Sequence, residues 1–121
     1  MGKLGISIYP EKTTEKEVID YIDKAGEAGF SRIFSCLLSV NESKEVILEK
    51  FKKINQYAKE KGFEIILDVN PKVFNDLGIS YDDLSFFKEM NADGIRLDIG
   101  FTGLQESIMT FNKENLKIEI N

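Results

Sequence analysis

Three separate stretches of the chain alternate apolar and polar residues with period two. Between Asp93 and Gly103, Ile95, Leu97 and Ile99 alternate with Arg96 and Asp98. The run Ile65 to Asn70 ends with Asp68 and Asn70 on one face, and Leu116 to Asn121 ends with Glu119 and Asn121 on one face. This period is the mark of a strand with two unlike faces. Three successive strands are therefore expected to deliver a carboxylate in the same phase, near the same end.

The remaining pattern fills the intervals with helices. Lys3 to Tyr9 reads as a first strand, with Leu4, Ile6 and Ile8 opposite Gly5, Ser7 and Tyr9, and Pro10 ends it. Thr14 to Glu17 forms a capping box. It opens a helix with Val18, Ile19, Ile22 and Ala25 on one stripe, closed by Gly29. Arg32 to Leu38 is nearly all apolar, as in a parallel strand covered on both faces, and its phase is not assignable. Asn41 or Ser43 caps a longer helix with Val46, Ile47, Phe51, Ile54 and Ala58 facing inward, closed by Gly62. A strand from Glu64 to Val69 follows, and Asn70-Pro71 supplies N-cap and N1 of a short helix through Leu77. After Gly78, Ser80 is expected to cap another segment with Leu84, Phe87 and Met90 apolar. The fourth strand is Gly94 to Ile99. Thr102 to Gln105 is a second capping box before a helix with Leu104, Ile108 and Met109 apolar. Asn112 to Asn115 is a polar turn, and Leu116 begins the fifth strand.

Strand–helix alternation of this kind means a parallel sheet wrapped by helices through right-handed crossovers. Doubly wound sheets and (β/α) barrels both fit. A doubly wound sheet has helices on both faces, so both faces of its strands should be apolar. Here one face carries Ser7, Tyr9, Asp68, Asn70, Arg96, Asp98, Lys117, Glu119 and Asn121. A polar inner surface suits a TIM-type (β/α) barrel with a site at its C-terminal mouth. Such a barrel takes eight strands and about 250 residues. The 121 residues supply four βα units and a fifth strand. The expectation is the N-terminal half of a (β/α)8 barrel domain over residues 1–121, or a half-barrel that pairs with a second copy. An uncovered fifth strand is an open edge for self-association.

Composition narrows the chemistry. Hydrophobic content of 42% and charged content of 31% are ordinary for a soluble globular protein. A net charge of -5 and a pI near 4.8 argue against nucleic-acid or anionic-membrane partners, which need a basic surface. The absence of histidine excludes a Ser-His-Asp triad or a His-based zinc site in this stretch, and the single Cys36 excludes a Cys-x-x-Cys motif. No metal or organic cofactor is indicated. The N-terminus shows no leader-like apolar run, and no stretch is long enough to span a bilayer, so a cytoplasmic address is expected.

Five stretches together resemble one family. They are Leu-Gly-Ile-Ser-Ile-Tyr-Pro at 4–10, Ile-Phe-Ser-Cys-Leu-Leu-Ser at 33–39, Ile-Leu-Asp-Val-Asn-Pro at 66–71, Asp-Gly-Ile-Arg-Leu-Asp-Ile-Gly-Phe at 93–101 and Ile-Glu-Ile-Asn at 118–121. In order and spacing they resemble the bacterial 6-phospho-N-acetylmuramidases, many of them long labelled outer surface proteins. The resemblance implies an N-terminal (β/α)8 barrel followed by a smaller cyclophilin-like domain. It also implies intracellular hydrolysis of a phosphorylated muramyl disaccharide in cell-wall recycling. The later barrel strands and the second domain lie outside these 121 residues, so activity is expected of the longer parent rather than of this stretch alone.

Glycoside hydrolysis uses two carboxyl groups, one donating a proton to the leaving oxygen and one attacking or activating water. Asp98 and Glu119 are the candidates for the reaction centre, with Asp68 in support. Arg96 could contact a phosphate or lactyl carboxylate, since its forked donors suit both. Tyr9, Ser7, Asn70 and Asn121 are candidate sugar contacts. Arg96 with the three carboxylates also reads as a satisfied ion cluster. Gly100 and Gly103 resemble a phosphate-cradling turn, which ordinary turn geometry explains equally well. Two other functions fit the same pattern: a non-catalytic half-barrel, and a barrel enzyme acting on sugar phosphates. An aldolase would need a lumenal lysine, for which Lys117 is the candidate.

Overall fold

A computed structural model describes residues 4–121. Lys3, expected to begin the first strand, lies outside the described residues, as do Met1 and Gly2. The elements run β1 (Gly5–Ile8), α1 (Glu15–Glu27), β2 (Arg32–Leu37), α2 (Lys44–Glu60), β3 (Glu64–Val69), α3 (Pro71–Leu77), α4 (Ser85–Glu89), β4 (Gly94–Leu97), α5 (Gly103–Thr110) and β5 (Lys117–Ile120). All five strands are parallel and pair in sequence order, β1-β2-β3-β4-β5. A doubly wound sheet reverses its strand order at a switch point. With no reversal, right-handed crossovers place successive helices on the same face. The result is a singly wound open sheet with β1 and β5 at its edges, an arrangement compatible with part of a (β/α) barrel.

The local signals behave as the sequence chemistry requires. Thr14 and Thr102 each close a reciprocal capping box, with Glu17 and Gln105. Ser43, not Asn41, caps α2 by accepting from the Val46 N–H. Asn70 accepts from the Val73 N–H at 3.0 Å and Pro71 follows at N1. Gly78 ends α3 with a left-handed φ of 67°. Ser80 does not cap a helix. Its hydroxyl donates to Asp82, and the helix waits until Ser85, because residues between form a turn braced by Glu114 accepting from the Leu84 N–H. Val46, expected inward, is exposed, since the buried stripe of α2 runs through Ile47, Phe51, Ile54, Asn55 and Ala58.

The core lies between the helices and the outer sheet face. One cluster joins Ile6, Ile8, Ile33 and Ile65 to Val18, Ile22 and Ala25 of α1 and to Ile54 and Ala58 of α2. The other joins Leu37, Leu67, Val69, Ile95 and Leu97 to Phe51, Phe74, Phe87 and Met90. The opposite face packs by a different device. Its middle row reads Ser7, Phe34, Ile66, Gly94, Lys117 across the five strands. Phe34 leans over Gly5, and Ile66 fills the space over Gly94, where an added Cβ would lie 2.7 Å from the Lys117 carbonyl. Glycine is needed at Gly94 for this close approach, whatever its backbone angles.

Candidate functional site

The register converts the three alternating stretches into two polar rows on the helix-free face. Cys36, Asp68, Arg96 and Glu119 are consecutive partners across β2, β3, β4 and β5. One step further toward the C-terminal ends come Asn70, Asp98 and Asn121. The ladder continues to them through Asp98 N–H to the Val69 carbonyl at 3.0 Å and Asn121 N–H to the Leu97 carbonyl at 3.1 Å. β4 ends at Leu97 rather than Ile99, whose side chain is 86% exposed. The chain there turns through Gly100, whose φ of 116° and close approach to Pro71 admit no side chain easily. Phe101 then packs edge-on against Phe74 and Tyr81, which seats the β4–α5 loop on α3.

Asp68 is buried at 8% exposure, and its Oδ2 accepts from Arg96 Nη2 at 2.8 Å. The Arg96 guanidinium also lies 4.0 Å over the Phe34 ring, a face that attracts cations. Its hydrogen bond to Asp68 pushes the Arg96 pKa up against the opposing effect of burial. Asp68 Oδ1 and Arg96 Nε are buried without a hydrogen-bond partner. Glu119, the neighbour of Arg96 in the register, instead forms an ion pair with Arg32. Arg32 also meets Glu64 at 3.0 Å, and Lys117 meets Glu64 at 3.1 Å. Arg32, Glu64, Lys117 and Glu119 thus make a charge network toward the N-terminal side of the face. Lys117 is a partner in that network.

Asp98 stands apart. Its Oδ1 accepts from the Ile99 N–H at 3.0 Å and from Asn121 Nδ2 at 3.5 Å, and it makes no ion pair among the described residues. Asn70 is committed twice, capping α3 and donating to the Leu38 carbonyl at 2.9 Å. Ser7 and Tyr9 border an open cleft of about 350 Å3 beside α1. Both also neighbour the Cys36 thiol, whose pKa is pushed up to about 11 by burial and by the Asp68 charge.

One carboxylate outside the alternating strands lies at the same end of the sheet. Glu11, three residues past β1, accepts from Ser39 Oγ at 3.3 Å through Oε2, while its Oε1 is buried without a partner. Period-two reasoning has no hold on a loop residue. The usable signal is its place just beyond the C-terminal end of a parallel strand, where barrels gather their chemistry.

No helix among the described residues is long and apolar enough to cross a membrane. No curated protein matches the sequence significantly. Among solved structures, an uncharacterized B. cereus protein aligns with 51% identity and a TM-score of 0.77, over 98% of this chain and 30% of its own. A conserved Enterococcus faecalis protein of unknown function aligns at 24% identity and a TM-score of 0.72, over 97% of this chain and 31% of its own. Thiamine phosphate pyrophosphorylase from Pyrococcus furiosus aligns at 18% identity and a TM-score of 0.63, over 98% of this chain and 48% of its own, a likeness of fold alone. The chain therefore spans about a third of the length of the first two. The sequence model described as 6-phospho-N-acetylmuramidase, N-terminal, matches residues 4–121, and the chain belongs to that family, as its N-terminal part.

Proposed function

We propose that residues 1–121 form the first half of a (β/α)8 barrel in a longer cytoplasmic glycosidase. Its substrate is a disaccharide carrying 6-phosphorylated N-acetylmuramic acid, cleaved in cell-wall recycling. The observation that carries this reading is the convergence of Asp68, Arg96, Glu119, Asp98, Asn70 and Asn121 on one helix-free sheet face, in a chain of this family.

Within that reading, Asp98 is the carboxylate just past the end of β4 that carries no ion pair among the described residues. It would face the anomeric carbon, as nucleophile or as base for water. Glu119 and Asp68 each carry an arginine partner, so they shape the field around the reacting centre and hold the two guanidinium groups in place. Arg96 offers the cationic surface for the phosphate or lactyl carboxylate, and Ser7, Tyr9, Asn70 and Asn121 offer hydrogen bonds to the sugar.

The test is hydrolysis of a 6-phosphorylated muramyl disaccharide by the full-length protein, followed by Asp98→Asn and Glu119→Gln. We expect Asp98→Asn to lower kcat by about 1,000-fold or more and Glu119→Gln to lower it less, within the span that a lost electrostatic group gives. Turnover unchanged in both variants would remove the carboxylates of β4 and β5 from the chemistry.

A further inference from the structure

We propose that Glu11 is the proton donor of this site. This assignment rests on the glycosidase reading. Of the carboxylates on the helix-free face, Asp68, Glu64 and Glu119 are each tied to an arginine, and Asp98 accepts two N–H donors. All four are engaged as acceptors. A general acid must hold a proton and release it to the leaving oxygen, and among the described residues these carboxylates are already held by hydrogen-bond donors or cations.

Glu11 fits it. The β1–α1 loop carries it over the C-terminal ends of β1 and β2, where it borders a small cavity with Tyr9, Cys36 and Ser39. That cavity, of about 10 Å3, is at the lower limit for one water. Cys36, one of the residues lining that cavity, is the register neighbour of Asp68. The unpartnered Oε1 is the atom free to carry a proton, while Oε2 is held by the Ser39 hydroxyl, itself held by Asn41 Nδ2 at 3.1 Å. Burial raises the Glu11 pKa. The Ser39 hydrogen bond, Lys50 of α2 and Lys12 of the same loop oppose the rise, and Glu42 before α2 adds to it. The Cys36 thiol and the Tyr9 phenol complete the titratable groups around the cavity.

In the step assigned to it, the Glu11 proton passes to the glycosidic oxygen as the bond from that oxygen to the anomeric carbon breaks. The oxygen keeps the bonding pair and leaves as the hydroxyl of the second sugar. Where Asp98 takes the anomeric carbon, Glu11, now a carboxylate, removes a proton from a water that displaces Asp98, which frees the sugar and restores the Glu11 proton. Where a water attacks directly, Asp98 removes its proton and Glu11 regains its own from solvent.

The experiment compares two substrates in the full-length protein and its Glu11→Gln variant. One is the 6-phosphorylated muramyl disaccharide, whose leaving sugar needs a proton. The other is the 4-nitrophenyl glycoside of N-acetylmuramic acid 6-phosphate, whose leaving group does not. A proton donor gives Glu11→Gln a loss in kcat/KM, which reports the bond-breaking step, of about 100-fold or more on the disaccharide and of less than about tenfold on the aryl glycoside. Equal losses on both, or no loss, would overturn the assignment. If the wild-type protein cleaves neither substrate, the glycosidase reading itself has failed, an outcome distinct from failure of Glu11 alone. Ser39→Ala gives a second handle should Glu11→Gln fold poorly. Removing a donor to the carboxylate should move the alkaline limb of the disaccharide kcat/KM profile to higher pH, and an unmoved limb would count against Glu11.

Discussion

Arg96 and Asp68 occupy partnered positions on β4 and β3 and close a 2.8 Å charged hydrogen bond across the helix-free face. Both side chains are mostly sheltered, and Phe34 covers the guanidinium from below. Removing one partner of a sheltered pair leaves the other charge uncompensated, which is costlier than removing both. Asp68→Ala should therefore cost about 2–3 kcal/mol, below the fully buried range because Arg96 keeps some contact with water. Asp68→Ala combined with Arg96→Met should recover part of that loss. Urea unfolding of the four variants measures it, and a double variant no more stable than Asp68→Ala would show that the pair is not coupled.

The same pair acts on the neighbouring thiol. Cys36 has its pKa pushed up to about 11, first by burial and then by the Asp68 charge, with Arg96 pulling it down. Only the thiolate is reactive. In the folded protein, modification by a disulfide reagent at pH 8 should be far slower than for an exposed cysteine. Asp68→Asn removes the carboxylate and leaves the cation, so modification should speed up several-fold. A rate unchanged by that substitution would mean that access alone limits the reaction.

Gly94 is where β4 yields its side chain to its neighbours. A Cβ there would meet the Lys117 carbonyl at 2.7 Å, Lys117 Cβ at 2.8 Å and Ile66 Cδ1 at 3.0 Å. The first contact is backbone and cannot rotate away. Gly94→Ala should cost roughly 1–3 kcal/mol as overpacking does, and it should loosen β5, which pairs with β4 alone. Gly103 at the first turn of α5 meets nothing within 4 Å, so Gly103→Ala is the matched control and should be neutral or slightly stabilising. Thermal unfolding of both variants, with amide exchange on residues 117–120, would check the contrast.

The edges of the sheet predict behaviour of the 121-residue chain expressed alone. Apolar side chains lie open near the β5 edge: Leu104 of α5 is 72% exposed, Phe111 just after it 84% and Ile120 of β5 60%. Unpaired strand edges beside apolar surface template further pairing. The isolated chain should associate with further copies of itself as its concentration rises, and Ile120→Lys with Phe111→Lys should suppress this. Sedimentation across a concentration series measures it, and a monomer at all concentrations would sink the idea.

Much of this was legible in the sequence for identifiable reasons. Strand phase is a two-state property, so Asp68, Arg96, Asp98 and Glu119 could be placed on one face from alternation alone. Caps are local, so Thr14, Asn70 and Thr102 were readable from adjacent residues. Register-level partnering was not readable. Nothing in the alternation says that Glu119 turns toward Arg32 rather than Arg96, because Arg32 lies three strands away through the curvature of the sheet and its own strand, almost wholly apolar, gave no phase. Ser80 misled because a serine before an apolar run also fits an ordinary turn, which Asp82 and Glu114 here complete. Of the apolar residues read in α5, Met109 is buried while Leu104 and Ile108 are exposed, because helical spacing cannot tell a covered face from an open one.

Glu11 links the proposed chemistry to a measurable stability. Its carboxyl is held above the ordinary glutamate value, chiefly by burial, against the pull of Ser39 and Lys50. A raised value in the folded state means the native protein keeps this proton to a higher pH than the unfolded chain does. The contribution to stability is then fully present below the unfolded glutamate value and is lost as pH rises through the folded one. Wild-type stability should carry a component that falls with pH just above the normal carboxylate range, and Glu11→Gln, which cannot ionise, should lack it. The difference between the two proteins, taken from unfolding midpoints in steps from pH 4 to pH 8, isolates Glu11 from the other carboxylates. A difference that stays flat would show that the Glu11 carboxyl titrates in the fold as it does in water, and a difference that grows with pH sets the range in which Glu11 still holds the proton it is proposed to give.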